Sequence, residues 1–397
     1  MNLAALRFHD FRVYLAGNIF ALNGLWMQRL TMGWIAWELT GSASFVGFVA
    51  FMNFAPTVVT GPFFGVLVDR IRLRRAAMIN QGILCALTLL LFLSFEAGIL
   101  GPTLLAVVSG VLGLSVAAHH PIRMSLAPRL VDQSAVASVI SMTAINFNLA
   151  RLTGPALGGW VIAVWGVGAA LFLQALLFLP LILAVSFINP RESKKNRAER
   201  TAFIQDLGFG IRYVSHSPLI RRAILIAGVG AFLSRGVLEI LPVVADGTFS
   251  KGAAGVGVMT AIAGCGALVA GIAKAVMPGQ APGRLPRLAL GSALFGVSLV
   301  PIVGISTSWA LTLALVAGLG FATTMAGVSM QTAIQMEIED DFRGRVMSLW
   351  VVVVVGAAAG GAMILGGLAD LFGLALALGS VGGVGAVFLA FYLRRIW

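Results

Sequence analysis

Apolar residues occur in long, almost uninterrupted runs along this chain, separated by short polar stretches. Most runs reach about 20 residues, the length that an α-helix needs to cross about 30 Å of hydrocarbon. Lipid admits only α-helices and closed β-barrels, and these runs are too long and too uniformly apolar for barrel strands. The pattern predicts an all-α membrane protein. We place twelve membrane-spanning segments, at residues 12–37, 44–68, 76–98, 101–122, 136–165, 167–188, 220–244, 252–276, 285–304, 308–331, 345–369 and 372–393.

Composition agrees with a membrane protein. The 397 residues are 59% hydrophobic and 11% charged, whereas a soluble domain carries about 25% charged residues. The net charge of +12 does not indicate nucleic acid, because most basic residues fall in loops on one side of the predicted spans. That asymmetry is the positive-inside pattern. We therefore expect a monomeric, multi-pass protein of a bacterial cytoplasmic (inner) membrane, embedded in lipid, with both termini in the cytoplasm.

The predicted spans divide into two sets of six around one long polar stretch. Residues 1–188 would form an N-terminal six-helix bundle and residues 220–397 a C-terminal six-helix bundle. Residues 189–219 would form a cytoplasmic linker, with an amphipathic helix at 201–214. The halves align as an internal repeat, which predicts two pseudo-symmetric bundles with a substrate site between them. Aligned pairs include Gly154 with Gly361, Gly159 with Gly366, and Arg29 with Arg235.

Two motifs in the N-terminal half carry a family resemblance. The loop stretch GVLVDRIRLRR, 65–75, combines a glycine, an aspartate four residues later and a basic cluster. The stretch GPALGG, 154–159, places a helix-bending proline among small residues that allow close helix contact. The two resemble a cytoplasmic signature of the major facilitator superfamily and the fifth-span motif of its antiport exporters. The resemblance implies gating roles, with positive-inside charge and ordinary tight packing as alternatives. The residues concerned are Gly65, Asp69, Arg70, Arg74, Gly154, Pro155, Gly158 and Gly159.

Other segments resemble a narrower branch of that superfamily. They include Trp26-Met27-Gln28, Leu241-Pro242, and the stretch RGRVMSL at 343–349. The branch is the bacterial transmembrane secretion effector group, which includes enterobactin and macrolide exporters. The resemblance implies the major facilitator fold and export by alternating access.

Four charged residues fall within the predicted spans: Arg29, Arg151, Arg235 and Glu239. Glu239 lies one helical turn beyond Arg235, so the two side chains can pair. The resemblance places the first and seventh spans along a central cavity, with Arg29 and Arg235 facing it. Guanidinium groups match carboxylates, which suggests an anionic substrate, and neutralisation of Glu239 and of helix dipoles is the alternative. Glu239 is our candidate proton-coupling site, with a static ion pair or an outer-gate contact as alternatives.

Other polar residues within the spans have less defined roles. Arg151 is expected to bridge helices at the gating contact of the fifth span, and reaching the cavity is the alternative. Asn18, Asn23 and Gln28 give the first span a polar face, which predicts a cavity wall or, alternatively, contacts between helices. His119 and His120 close the fourth span and are a possible proton relay, since histidine titrates near neutral pH; interfacial polar residues are the alternative.

We therefore predict a secondary active transporter and not an enzyme. It would export a small amphipathic, possibly anionic compound of the drug, siderophore or metabolite type by proton antiport. The sequence shows no catalytic or metal-binding constellation and no P-loop, so we expect no cofactor, no metal and no direct use of ATP. Its partners would be the small-molecule substrate and protons, and no nucleic acid. Alternatives are an uptake transporter, a lysolipid-like flippase, and a non-transporting sensor or assembly factor with a transporter fold.

Overall fold

A computed structural model describes residues 4–68, 71–191, 212–277, 283–339 and 342–395, and helices account for most of them. Short turns form most of the connections that lie wholly within the described residues. The α-helices are α1 (His9–Thr40), α2 (Ala43–Val68), α3 (Leu73–Glu96), α4 (Pro102–Leu126), α5 (Val136–Phe187), α6 (Pro218–Gly230), α7 (Gly236–Glu239), α8 (Gly252–Val276), α9 (Arg287–Ile305), α10 (Trp309–Glu337), α11 (Arg343–Phe372) and α12 (Leu374–Arg394).

Nine helical stretches among the described residues are long and apolar enough to cross a membrane. This confirms the all-α membrane class, while the count of twelve stays a prediction. Three features of the structure account for the difference between nine stretches and twelve predicted spans. Polar side chains lower the mean hydropathy of α1, and α5 continues through two predicted spans. It bends at Gly166, whose φ of +83° favours glycine. The seventh predicted span is broken into α6, α7 and two π-helical turns.

Three predictions concern residues outside the described part of the chain. Most of the amphipathic helix predicted at 201–214 falls there. Asp69 and Arg70 of the first motif also fall there, and so do the surroundings of Gly65. Their predicted roles therefore stay predictions.

Within each half, a glycine brings two helices into close contact, and the two glycines occupy aligned positions of the repeat. A Cβ atom added to Gly154 of α5 would lie 2.8 Å from the carbonyl oxygen of Asn23 in α1. Gly361, the aligned residue of α11, touches the backbone of Phe232 between α6 and α7 in the same manner. The aligned positions thus make equivalent contacts, with the first span in one half and with the seventh in the other.

A second pair of small residues joins one half to the other. A Cβ atom added to Gly159 of α5 would lie 2.7 Å from Cα of Gly257 in α8. Gly366 of α11, aligned with Gly159, packs directly on the backbone of Ala43 in α2. Such close approach between backbones is typical of helix pairs in membranes.

These inter-half contacts lie at one end of the molecule, where Asp370 of α11 reaches the start of α2. Its carboxylate accepts a hydrogen bond from the Ser42 hydroxyl at 2.6 Å. It also accepts bonds from the backbone N–H groups of Ala43 at 2.8 Å and Ser44 at 2.9 Å. A carboxylate at a helix N-terminus satisfies free N–H groups and interacts favourably with the helix dipole. An acid of one half therefore caps a helix of the other.

A second aspartate makes a similar connection nearby. The indole Nε1–H of Trp37, in the last turn of α1, donates to a carboxylate oxygen of Asp246 at 2.9 Å. The other oxygen accepts from the backbone N–H of Gly252, where α8 begins, at 2.9 Å. We call the end of the molecule closed by Asp370 and Asp246 the sealed end. The opposite end carries Arg74, Arg129, the start of α1 and the end of α12, and we call it the basic end.

Candidate functional site

A cavity of about 500 Å³ lies between the two halves, and all four charged residues predicted within the spans line it. They come from three parts of the chain. Arg29 is on α1 and Arg151 on α5, while Arg235 and Glu239 belong to the broken segment around α7. The cavity extends toward the basic end, because its lining includes Gln331 near the end of α10. It is therefore separated from the far side by the sealed end.

One stripe of α1 forms a wall of this cavity. Trp26, Arg29, Leu30 and Gly33 all line it, and their spacing places them on a single helical face. Trp26 also contacts Phe147 of α5 edge to face, with ring centroids 5.5 Å apart. The wall thus combines a charged group with a broad apolar surface.

The arginines of the N-terminal half lie on aromatic rings. The guanidinium carbon of Arg29 is 4.7 Å from the ring centroid of Trp26 and 4.6 Å from that of Phe54. Arg151 approaches the same Trp26 ring at 5.8 Å. Aromatic faces attract cations, so these contacts stabilise positive charge without neutralising it. Arg151 thus extends from α5 to a residue of α1 and lines the cavity, and its predicted gating role stays a prediction.

Glu239 faces an excess of positive charge. Its Oε1 lies 3.9 Å from Nε of Arg235, and the two side chains are 17% and 37% exposed. This is one long contact rather than a two-bond fork. Glu239 also interacts electrostatically with Arg29 and Arg151. The cavity thus holds three arginines around a single carboxylate.

The helix that carries Arg235 and Glu239 is irregular. A π-helical turn spans Ala231–Arg235, and a second one spans Val243–Thr248 after Pro242. Between them, α7 has only four residues. Single π turns are frequent at functional sites, because they change the direction of side chains locally.

The structure does not place the three predicted polar residues of α1 in the cavity. Asn18 is fully buried, and Gln28 is 2% exposed on the face of α1 away from Trp26. Asn23 accepts a hydrogen bond from the Thr153 hydroxyl at 2.6 Å. None of the three is among the residues that line the cavity, and their role as a cavity wall stays a prediction. Helical geometry explains the result at Gln28, because it adjoins Arg29 in sequence and yet points about 100° away.

The two histidines occupy different surroundings. His119 is buried, with Nδ1 3.1 Å from Nε2 of Gln81 on α3. His120 is exposed on the outside of α4. Neither lines the cavity, so a relay through both has no direct path to Glu239. Their role as a relay stays a prediction.

The glycine-proline motif of α5 contacts two helices. Gly154 and Gly158 face α1, where a Cβ atom at Gly158 would lie 3.0 Å from Cγ of Met27. Pro155 lines the cavity, and Gly159 contacts α8. The motif therefore lies between the cavity wall and the inter-half contact.

Arg74, the predicted gating arginine of the first motif that the structure describes, makes its contacts within its own half. Its guanidinium donates to Oδ1 of Asn189 at 3.1 Å and to the carbonyl oxygen of Ser186. These bonds fix the start of α3 against the end of α5. A gating role for Arg74 stays a prediction.

Sequence reasoning did not identify the aromatic rings of the cavity or the hydrogen bonds of the sealed end. Trp26 was noted only as a family marker, and Phe54 and Phe147 were among many apolar residues. Asp246 and Asp370 lie far in sequence from Trp37 and Ser42, the residues that they bind. For these aspartates, the only signal in the sequence was that a polar residue lies beside a membrane-spanning segment.

Comparison with known proteins gives a consistent family. The sequence matches the transmembrane secretion effector family over residues 1–396. It is 25% identical over 366 residues to the enterobactin exporter EntS of Shigella dysenteriae, covering 90% of this chain and 81% of that protein. It is 21% identical over 375 residues to the staphyloferrin A transporter of Staphylococcus aureus, covering 91% and 90%.

Solved structures show the same fold. The nucleoside transporter NupG superposes with a TM-score of 0.72 at 14% identity, covering 98% of this chain and 99% of that chain. A bacterial homologue of the lysosomal transporter Spinster, in an inward-facing and occupied conformation, gives 0.72 at 14% identity, covering 98% and 97%. The chain therefore belongs to the transmembrane secretion effector family of major facilitator transporters.

Proposed function

We propose that the protein is a proton-coupled exporter of a small, amphipathic, anionic compound. The basic end would face the cytoplasm, as the positive-inside rule expects. The described conformation would then be inward-facing, because the cavity extends toward the basic end. Export would require the sealed end to open while the basic end closes.

The observation that carries this proposal is the single carboxylate among three arginines. The Glu239 carboxylate can either bind a proton or, in its charged form, interact with the arginines. It cannot do both at once. An anionic compound entering the cavity would compete with Glu239 for Arg235, because both offer an acidic oxygen to the same guanidinium. Occupancy of the cavity by the compound and the protonation state of Glu239 would therefore be linked, and this linkage would couple transport of the compound to proton movement.

The lining of the cavity supports an amphipathic substrate. Trp26 and Phe147 present ring surfaces beside the arginines, and Trp350 adds another on α11. Ligand sites commonly combine a largely apolar lining with a few polar groups that orient the ligand. The names of two relatives, an enterobactin exporter and a staphyloferrin A transporter, make a siderophore-type compound a reasonable first probe.

The test uses purified protein in liposomes that contain a pH-sensitive dye. A proton gradient is imposed and amphipathic carboxylates are added to the parent and to Glu239→Gln. We expect compound-dependent proton movement in the parent and its loss in the variant, because an amide carries no exchangeable proton of this kind. Glu38→Gln is the matched control, since Glu38 is an exposed acid near the sealed end.

Each result has a definite meaning. Coupled flux that survives in Glu239→Gln would contradict the coupling role of Glu239. Flux of the compound without proton movement would favour uncoupled export or uptake. Binding without any flux, under several gradients, would favour a sensor.

A further inference from the structure

A fourth arginine, Arg123, is buried in the N-terminal half, and it has no acidic partner among the described residues. It lies in the last turn of α4 and is 8% exposed. Its Nε and Nη1 atoms have no hydrogen-bond partner among the described residues. No ion pair found among the described residues includes Arg123. Burying a charge without a counter-charge costs several kcal/mol. A bound anion beside Arg123 would offset this cost.

Arg123 is connected to the cavity through one aromatic ring. Its guanidinium carbon lies 5.0 Å from the ring centroid of Phe147. Phe147 lines the cavity and contacts Trp26, whereas Arg123 does not line it. Phe147 therefore stands between Arg123 and the arginine-rich cavity, on the side nearer the basic end.

The groups around Arg123 are neutral donors and acceptors. Tyr14 of α1 interacts with it electrostatically and is 2% exposed. His119, one turn before Arg123 on α4, also interacts with it electrostatically, and its Nε2 has no hydrogen-bond partner among the described residues. Water could satisfy such donors, but it would leave the positive charge of Arg123 uncompensated.

We propose that Arg123 forms a second anion-binding subsite behind Phe147. Its ligand is either a free monovalent anion or the anionic group of the transported compound, and only the second source rests on the proposed function. The guanidinium supplies the charge and two hydrogen bonds, and Tyr14 supplies a hydroxyl donor. A side-chain rotation of Phe147 would connect this subsite with the cavity.

The test measures the thermal unfolding of purified full-length protein while chloride replaces methanesulfonate at constant ionic strength. We expect a saturable rise of the unfolding midpoint in the parent. In Arg123→Gln, the half-saturating chloride concentration should rise by about tenfold or more, the loss expected when hydrogen bonds to a charged group are removed. Arg284→Gln is the matched control and should respond like the parent, because Arg284 is exposed and does not line the cavity.

A second arm uses benzoate in place of chloride. If the anion comes from the transported compound, stabilisation by benzoate should need both Arg123 and Arg29. If it is a free anion, chloride should need Arg123 and benzoate should show no dependence on it. Either outcome supports the subsite, and neither depends on flux, so a failure of export leaves this result intact.

Some results would overturn the proposal. An unfolding midpoint of the parent that ignores both anions would do so, and so would an unchanged response in Arg123→Gln. If that variant does not fold, Arg123→Lys replaces it. Lysine keeps the charge but lacks the planar pair of donors, so a chloride response as strong as that of the parent would contradict the assigned geometry.

Discussion

At the scale of single residues, Trp26 has an unusual share of the contacts in the cavity. Its ring meets the guanidinium groups of Arg29 and Arg151 and the ring of Phe147. A carboxylate partner would have neutralised these arginines, whereas an aromatic ring leaves their charge available to a ligand. Trp26 thus keeps the cavity cationic.

This contact predicts a measurable coupling between Trp26 and Arg29. A double-mutant cycle with Trp26→Leu and Arg29→Gln should give a coupling of about 0.5–2 kcal/mol in the free energy of unfolding, the range of partly desolvated cation–π contacts. The measurement is equilibrium unfolding of the four proteins in detergent. The same cycle with Trp160→Leu should give no coupling, because Trp160 is 52% exposed and packs on Trp165. Equal coupling in both cycles would contradict the contact.

The charged residues of the site could be predicted from the sequence, but their partners could not. Arg29, Arg151, Arg235 and Glu239 stand out because charge is costly within a membrane. Asn18 and Gln28 gave the same kind of signal, and yet the structure buries them away from the cavity. A polar side chain within a span needs a polar partner. The sequence does not indicate whether that partner belongs to a ligand or to another helix.

At the scale of helices, contact between backbones is set by glycine. Gly159 of α5 meets Gly257 of α8 where the halves join, and no flexible side chain separates them. Gly158 meets the side chain of Met27, which can move. Neighbouring glycines of one motif should therefore differ in their tolerance of substitution.

Gly159→Ala is expected to destabilise the protein by about 1–3 kcal/mol, the usual cost of overpacking. The added Cβ would lie 2.8 Å from the carbonyl oxygen of Ala253, and backbone must shift to accept it. Thermal unfolding in detergent measures the effect. Gly158→Ala should cost less, and Gly360→Ala should cost little, because nothing lies within 4 Å of a Cβ there. Equal costs at all three positions would refute this account.

Helix positions could largely be predicted from hydrophobic runs, because a span must be apolar throughout its length. The seventh span is the exception, since its run of apolar residues gave no sign of the π turns at Ala231–Arg235 and Val243–Thr248. Hydropathy reports burial in lipid, whereas the local pitch of a helix depends on packing against its neighbours.

At the scale of the whole molecule, two aspartates join the halves at the sealed end. Asp370 accepts three hydrogen bonds from the start of α2, and Asp246 accepts one from Trp37. The close contacts of Gly159 and Gly366 there are between backbones. The acids are therefore the part of the seal that a small chemical change can weaken.

Asp370→Asn is expected to loosen the sealed end. An amide has only one accepting oxygen and no charge, so at least one of the bonds to Ser42, Ala43 and Ser44 is lost, at a cost of about 1.5–3 kcal/mol. A cysteine at Gly33, in the cavity, reports opening through its reaction with an impermeant thiol reagent added at the sealed side, in a background with Cys265→Ser. We expect the labelling rate to rise by about tenfold.

The matched control is Asp132→Asn, which removes an exposed acid paired with Arg191 at the basic end. Labelling at the sealed side should not change in this variant. A labelling rate in Asp370→Asn equal to that of the parent would mean that the small residues alone keep the halves together.

The cap that Asp370 places on α2 has a consequence for the solvent. When the halves part, the carboxylate and the N–H groups of Ala43 and Ser44 must each find water instead of one another. Opening is thus also a hydration step, and its equilibrium depends on the activity of water. Solutes that are excluded from protein surfaces, such as sucrose, should hold the transporter closed on that side without binding to it.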